Sequence, residues 1–423
     1  MTVLYSVFIE LFILVFKLLA LFNAKARKGL LGRRATLGLV ESNLKNQSVI
    51  WMHAASLGEY EQGLPVLQQL KTEFPDSKIL VSFFSPSGYE NVIKKDNPAD
   101  LLIYLPFDRR MTMKRLVDQM DVEIFFTVKY DYWYHLLRVL KSKNTKVFVV
   151  SALFYEGQVF FKMYGNWFVR QLKTCVAWIF HQTVASSALA KSVGLDQSSV
   201  TGDTRFDRVK QLEKRDNHIP LISEYIFDRR CVVVGSSWEA EEKIAQVLHK
   251  KLPKTKLIIA PHDLKRVHHL KTLFPEALLY SNITKQTKLD ANVLIIDSIG
   301  LLSKLYSYAD VAVVGGGFHN AGLHNILEAA AFGIPVFFGD QYKKNPEADA
   351  LIKTNGGKSF SDEFALAGFV EELIKSDNRT PVGEISTLHE MAENARFFVE
   401  SQPDATKKIM SKILSYFPEK STN

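Results

Sequence analysis

The sequence predicts an α/β chain of two doubly wound, Rossmann-like parallel-sheet domains behind an apolar N-terminal helix. Three observations carry this expectation. Short apolar runs alternate with amphipathic segments in two series, a charged stretch without sustained pattern separates the series, and small-residue turns follow directly on several of the runs. A chain of 423 residues is also too long for one ordinary core, and two domains of about 200 residues each is the natural division.

Residues 1–34 read as a membrane anchor with a basic collar. Val3 to Phe22 is broken only by Ser6, Glu10 and Lys17, and Lys25, Arg27, Lys28, Arg33 and Arg34 follow within ten residues. About twenty apolar residues suffice to cross a bilayer, and cations just after them keep the remainder cytoplasmic. No small-residue cleavage site precedes those cations, so a cleaved signal peptide is not expected. Glu10 and Lys17 are seven residues apart and share a helical face, which fits a helix lying in the interface as well as one that spans. Both forms stay open, and a buried core helix is the bland alternative.

Residues 35–208 form the first predicted domain, with strands at Val49–Ala54, Ile79–Phe84, Leu102–Pro106, Glu123–Val128, Lys146–Ala152 and, more weakly, Thr183–Ser186. Residues 209–230 carry charge runs and Pro220 and read as a linker. The second domain, 231–383, repeats the alternation at Cys231–Gly235, Lys256–Pro261, Ala277–Tyr280, Val293–Asp297, Val311–Gly315 and Pro335–Gly339. Residues 384–423 are helical in pattern, a tail that can cross back to brace the first domain.

Hydrophobic content of 47% and charged content of 23% are globular values and exclude long disorder. The net charge of +8 suits nucleic acid or anionic lipid. No nucleic-acid motif appears and much of the excess adjoins the anchor, which favours an anionic membrane surface; no protein partner is inferable. Cys175 and Cys231 follow no metal or redox spacing and read as buried thiols in a reducing compartment.

The densest motif is 311–339. Gly315, Gly316 and Gly317 let backbone amides approach a ligand, and a helix opening at His324-Asn325 offers unpaired N–H groups to a phosphate. Glu328 shares a face with Asn325 (i, i+3) and His324 (i, i+4), placed for ribose hydroxyls. That is the nucleotide-sugar half of a glycosyltransferase; the plain alternative is an ordinary strand–loop–helix with a solvated acid. Gly235, Ser236 and Ser237 open a helix and can bond phosphate, and Pro261 is followed by His262 with Lys265 and Arg266 nearby.

In the first domain, His53-Ala-Ala-Ser-Leu-Gly-Glu59 follows the first strand. Spacing alone favours a capping box between Ser56 and Glu59; the functional reading makes Glu59 a general base on a cleft-facing helix, with Ser56 and Gly58 beside it. Lys129 and Asp131 reach the same cleft edge after the fourth strand, and Arg205 emerges near the domain junction. There is no strict Asp-x-Asp, Walker loop, HExxH or Gly-x-Ser-x-Gly, so no metal and no cofactor is expected. A nucleoside monophosphate leaving group fits that better than a diphosphate.

Taken together, His53-Ala-Ala-Ser-Leu-Gly-Glu59, Val200-Thr-Gly-Asp-Thr-Arg-Phe-Asp207 and Gly316-Gly…His324-Asn-Ile-Leu-Glu328 resemble the 3-deoxy-D-manno-octulosonic acid (Kdo) transferases of lipopolysaccharide synthesis in Gram-negative bacteria. The resemblance covers almost the whole chain. It implies a GT-B fold and inverting transfer of Kdo from CMP-Kdo to a lipid A precursor at the cytoplasmic face of the inner membrane. Glu59 would be the catalytic base, His262, Asn325 and Glu328 CMP contacts, and Gly235-Ser236-Ser237 the phosphate turn. The sequence departs from the family's pattern at Lys129, which stands for an acid; at Pro261, which stands for an arginine that Lys265 or Arg266 would replace; and at Ser151-Ala-Leu153. A UDP-sugar transferase or epimerase, and an anchored binding protein without catalysis, are the rival readings.

Overall fold

The apolar runs form two seven-stranded sheets in which every strand pair is parallel. The computed structural model describes residues 2–418 apart from 321, 344 and 378–384. The first sheet holds β1 (Ser48–Ala54), β2 (Lys78–Phe83), β3 (Leu101–Tyr104), β4 (Asp121–Val128), β5 (Lys146–Ala152), β6 (Trp178–His181) and β7 (Ser198–Val200), in the order β3-β2-β1-β4-β5-β6-β7. The second holds β8 (Cys231–Ser237), β9 (Lys256–Pro261), β10 (Leu278–Leu279), β11 (Val293–Ile295), β12 (Val311–Val314), β13 (Val336–Gly339) and β14 (Gly357–Phe360), in the order β10-β11-β9-β8-β12-β13-β14. This is the GT-B architecture. Strands such as β1 and β8 read as unbroken apolar runs because helices cover both sheet faces, leaving Trp51, Phe125, Phe148, Val232 and Val234 buried.

The chain divides into two compact units, Met1–Asp207 with Pro403–Asn423, and Arg208–Gln402. Several expected boundaries move. The segment 209–230 is not a free linker: Ile219, Ile222 and Tyr225 are buried in the second unit. The tail does not act as one block, since helix Thr387–Glu400 belongs to the second unit and helix Ala405–Leu414 to the first. Asp207 ties the latter down, accepting from the Thr406 amide and hydroxyl, both at 2.6 Å. The weak run at Thr183–Ser186 is not a strand; Thr183 caps the helix Val184–Ser192, and the strands on either side are β6 and β7.

The N-terminus forms two helices, α1 (Thr2–Phe22) and α2 (Ala24–Leu44). The basic collar lies on α2, whose Thr36, Val40 and Leu44 are buried in the first unit. Arg33 therefore leaves the collar. It is buried under α2, donates to the Phe84 and Gly29 carbonyls at 2.6 and 2.8 Å, and stacks its guanidinium 4.6 Å from the Phe84 ring. Burial lowers its pKa to about 10, so it stays charged at neutral pH. Lys25, Arg27, Lys28 and Arg34 remain exposed.

Candidate active site

In a doubly wound sheet the loops leave a crevice at the carboxyl ends of the strands where the order reverses. That reversal lies between β1 and β4 in the first unit and between β8 and β12 in the second. The motifs after β1, β4, β8 and β12 stand at these two points.

In the first unit β1 passes through His53–Ser56 into α3 (Leu57–Glu73), with Glu59 in its first turn. Ser56 is the N-cap residue, but its side chain accepts nothing from the helix backbone; its hydroxyl donates to the Glu59 carboxylate. The expected capping box is thus replaced by a side-chain pair that orients a half-buried carboxylate. Gly58 is exposed, and a Cβ there would meet only the Ser56 hydroxyl at 3.9 Å. Tyr130 stands within electrostatic reach: burial, then Tyr155, Glu59 and Asp131, push its phenol pKa up.

Asp131 after β4 meets His53 at the end of β1. The fully buried imidazole hydrogen-bonds through Nε2 to Asp131 at 2.6 Å, its Nδ1 lies 2.9 Å from the Ser82 hydroxyl, and the Trp133 indole donates to the same carboxylate at 3.3 Å. His53 was not among the expected site residues, although a buried strand ending in histidine was the available signal. Lys129 has a left-handed backbone (φ 62°); its amide donates to the Val150 carbonyl and its carbonyl accepts from Tyr132, both at 2.9 Å. Arg205 does not emerge as an uncommitted cation. It clamps Asp203 through Nε and Nη2 at 2.8 and 2.6 Å, and Asp203 also accepts from Gln62 of α3 at 2.7 Å. Burial raises the Asp203 carboxyl, but Arg205 and Gln62 outweigh it and hold its pKa below the ordinary value.

In the second unit the glycines serve the backbone first. A Cβ on Gly315 would lie 2.0 Å from the Ser236 carbonyl, and one on Gly317 would lie 2.6 Å from the Gly339 amide. The Gly316 amide donates to Glu241 at 3.2 Å, and Glu241 also accepts from the Trp238 amide at 2.9 Å. That buried carboxylate, raised in pKa by desolvation, joins the turns after β8 and β12. The Gly316 amide is therefore engaged rather than offered to a ligand. Gly235 lies against Tyr306, Ser236 is left-handed (φ 52°), and the buried Ser237 hydroxyl has no partner among the described residues.

The helix expected at His324-Asn325 begins later, at Leu327, and spans only Leu327–Ala331. Asn325, just before the N-cap residue Ile326, accepts from the Leu327 amide at 3.1 Å and donates to Glu328 at 3.2 Å, so the i, i+3 pair does meet. Five residues are too few for a strong helix dipole, and the polar groups here are those side chains. His262 stacks on Trp238 with centroids 4.5 Å apart and lies 4.6 Å from His324. Burial, then His262 and His319, lowers the His324 pKa to about 4, so its imidazole is neutral at pH 7.

Of the two cations expected beside His262, Arg266 is committed. It forms a two-pronged bond with buried Glu242, both contacts at 2.6 Å, while Lys265 is exposed. Arg215, inside the stretch read as linker, bonds Ser303 at 2.7 Å and feels the Glu328 charge. Trp238, Glu241 and Arg215 escaped sequence reasoning because nothing local marks a buried acid between loops or a cation folded back from a connection. Among the described residues, no three His, Cys, Asp or Glu side chains converge as a metal site.

Residues 31–208 match the family model described as 3-deoxy-D-manno-octulosonic-acid transferase (kdotransferase). The Kdo transferase of Aquifex aeolicus is 28% identical over 353 residues, 82% of this chain and 92% of that protein. Most of this chain is thus similar to Kdo transferases, and the first unit's motifs lie inside the matched family region. That similarity indicates a glycosyltransferase of lipopolysaccharide biosynthesis. A bifunctional glycosyltransferase/methyltransferase of Fusobacterium nucleatum is also 28% identical over 322 residues; the match covers 72% of this chain and 49% of that protein, so the chain spans about half its length. Among solved structures, a putative UDP-N-acetylglucosamine 2-epimerase from Listeria monocytogenes superposes with a TM-score of 0.60 at 14% identity, covering 88% of this chain and 97% of that one. That likeness is one of fold. The family match spans the loops after β1 and β4, the Arg205–Asp203 clamp and Asp207.

Proposed function

We propose that this glycosyltransferase moves Kdo from CMP-Kdo to a lipid A precursor at the cytoplasmic face of the inner membrane, inverting the anomeric carbon, with Glu59 as general base and no metal. The observation that carries the reading is Glu59 itself: a half-buried carboxylate in the first turn of α3, oriented by Ser56, beside the reversal between β1 and β4. Glu59 takes the acceptor hydroxyl's proton as that oxygen attacks the anomeric carbon, and CMP leaves with the bonding electrons. The His53–Asp131 pair holds the floor of the acceptor side. The Ser237 hydroxyl, the neutral His262 and His324 imidazoles and Lys265 serve the donor phosphate, while Asn325 and Glu328 serve the ribose. Hydroxyl, imidazole and ammonium donors at this site stabilise the departing charge.

Incubating detergent-solubilised enzyme with CMP-Kdo and a tetra-acylated lipid A precursor, then weighing the lipid, tests the reaction. A gain of one or more Kdo masses is expected. Glu59→Gln should lose about 10²–10⁴-fold in turnover while still binding CMP, the range general base catalysis supplies. Near-wild-type turnover in that variant, or an unchanged lipid with the native enzyme, refutes the assignment.

A further inference from the structure

Helix α1 has two unlike sides. One is fastened to the first unit by polar bonds: Tyr5 donates to Asp108 at 2.8 Å, Ser6 meets His135 Nε2 at 3.0 Å, and Glu10 pairs with Arg109. Ile9 and Ile13 are buried on that side. The other side presents Val7, Phe8, Leu11, Leu14 and Leu18, each 50–58% exposed. A spanning helix would have to break the polar contacts at Tyr5, Ser6 and Glu10 and carry those groups into hydrocarbon. A helix lying flat keeps all of them and still buries its apolar row.

The cavities beside α1 add a headgroup to this picture. An apolar groove of about 550 Å³ runs along Val3, Val7, Leu11 and Leu14. At Thr2, Arg110 and His135 it meets a second cavity, of about 270 Å³, lined also by Lys114, Arg138 and Lys143. Asp118 neutralises two of these cations, pairing with Lys114 at 2.6 Å and Lys143 at 2.7 Å. Among the described residues no carboxylate pairs with Arg110 or Arg138, and the charge of both is felt at His135. An apolar channel that ends at two uncompensated guanidinium groups matches one kind of ligand: an acyl chain joined to a phosphate.

We propose that this face is a phospholipid site in which α1 lies in the plane of the membrane interface, an acyl chain of an anionic bilayer phospholipid occupies the groove along Val7 to Leu14, and its phosphate sits between Arg110 and Arg138. The inference rests on the membrane attachment proposed above and is independent of the sugar and acceptor.

The test uses the full chain and vesicles of phosphatidylcholine, alone or equimolar with phosphatidylglycerol. Partitioning should favour the anionic vesicles. Each basic residue near an anionic surface is worth about 1 kcal/mol, or about fivefold, so Arg110→Gln with Arg138→Gln should cost about 25-fold there and little on phosphatidylcholine. Both residues are exposed, so the double variant should keep the native melting temperature. Unchanged partitioning of the double variant, or no preference for anionic vesicles by the native chain, overturns the site.

Two further arms separate the alternatives. In detergent without phospholipid, the double variant should keep the native KM for the acceptor; a raised KM would mean that the cavity takes the acceptor's own phosphate and would overturn the phospholipid assignment. A fluorophore on Leu11→Cys, near the middle of α1, should be quenched best by a nitroxide high on the acyl chain; best quenching by a deep nitroxide would mean a spanning helix. Cys175 and Cys231 are buried and leave the new thiol as the accessible one. Absence of Kdo transfer by the native chain would sink the reaction and leave the vesicle result standing.

Discussion

Replacing Asp131 with alanine probes how the first unit's site is held. The fully buried His53 imidazole hydrogen-bonds through Nε2 to this carboxylate at 2.6 Å, and the Trp133 indole adds a longer bond at 3.3 Å. A hydrogen bond to a charged group contributes about 1.5–3 kcal/mol, and the exposed quarter of the Asp131 side chain (24%) lets water recover part of the loss. About 2 kcal/mol of destabilisation is therefore expected, or about 4–8 °C in melting temperature for a unit of this size. Asp131→Asn, which keeps an acceptor but not the charge, should lose about half as much. Calorimetry of the full chain reads the shift, and hydrogen exchange of the β1 amides assigns it to the first unit, since two units need not unfold together. A melting temperature within about 1 °C of native for Asp131→Ala, with β1 exchange unchanged, would refute the reasoning.

Arg266→Ala should destabilise the second unit by about 3–5 kcal/mol, because it strands the buried Glu242 carboxylate, whereas Lys265→Ala should stay within about 0.5 kcal/mol of native; chemical denaturation separates them. His324 has a folded pKa depressed to about 4, so its contribution is full above the unfolded value near 6.5 and is lost as the pH falls through that value toward 4. Acidifying from pH 7 to 5 should cost the second unit at most about 2 kcal/mol, nearer about 1 kcal/mol once solvent screening is counted, and denaturant melts of His324→Gln should show a flatter slope. Gly315→Ala should disrupt the second unit, since its Cβ would sit 2.0 Å from a backbone oxygen, while Gly58→Ala should melt like the native chain; equal melting temperatures would show that the glycine turn can yield.

Much of this protein was legible along the chain. Parallel strands buried on both faces appear as unbroken apolar runs, so the two sheets and most of their strands follow from composition and spacing. The position of Glu59 in the first turn of a helix after the first strand follows from period alone, whereas the Asn325–Glu328 pair forms with Asn325 outside the helix that period assigns it to. The short strands β7 and β14, with few fully buried residues, lack that signature and went unread. The cations could not be sorted at all. Arg33 reads as part of the basic collar, Arg205 as a cleft residue and Arg266 as a donor contact, yet the first lies under a helix among aromatic rings and the others clamp the acids Asp203 and Glu242. Likewise the polar residues of α1 meet Asp108, Arg109 and His135, about a hundred or more positions away in sequence, only in the fold. Periodicity is a property of neighbours along the chain, so the sequence determines which elements form and which faces they bury. Charge compensation depends on partners that only folding brings within a few ångströms, and there the energy of a buried ion turns on a single contact.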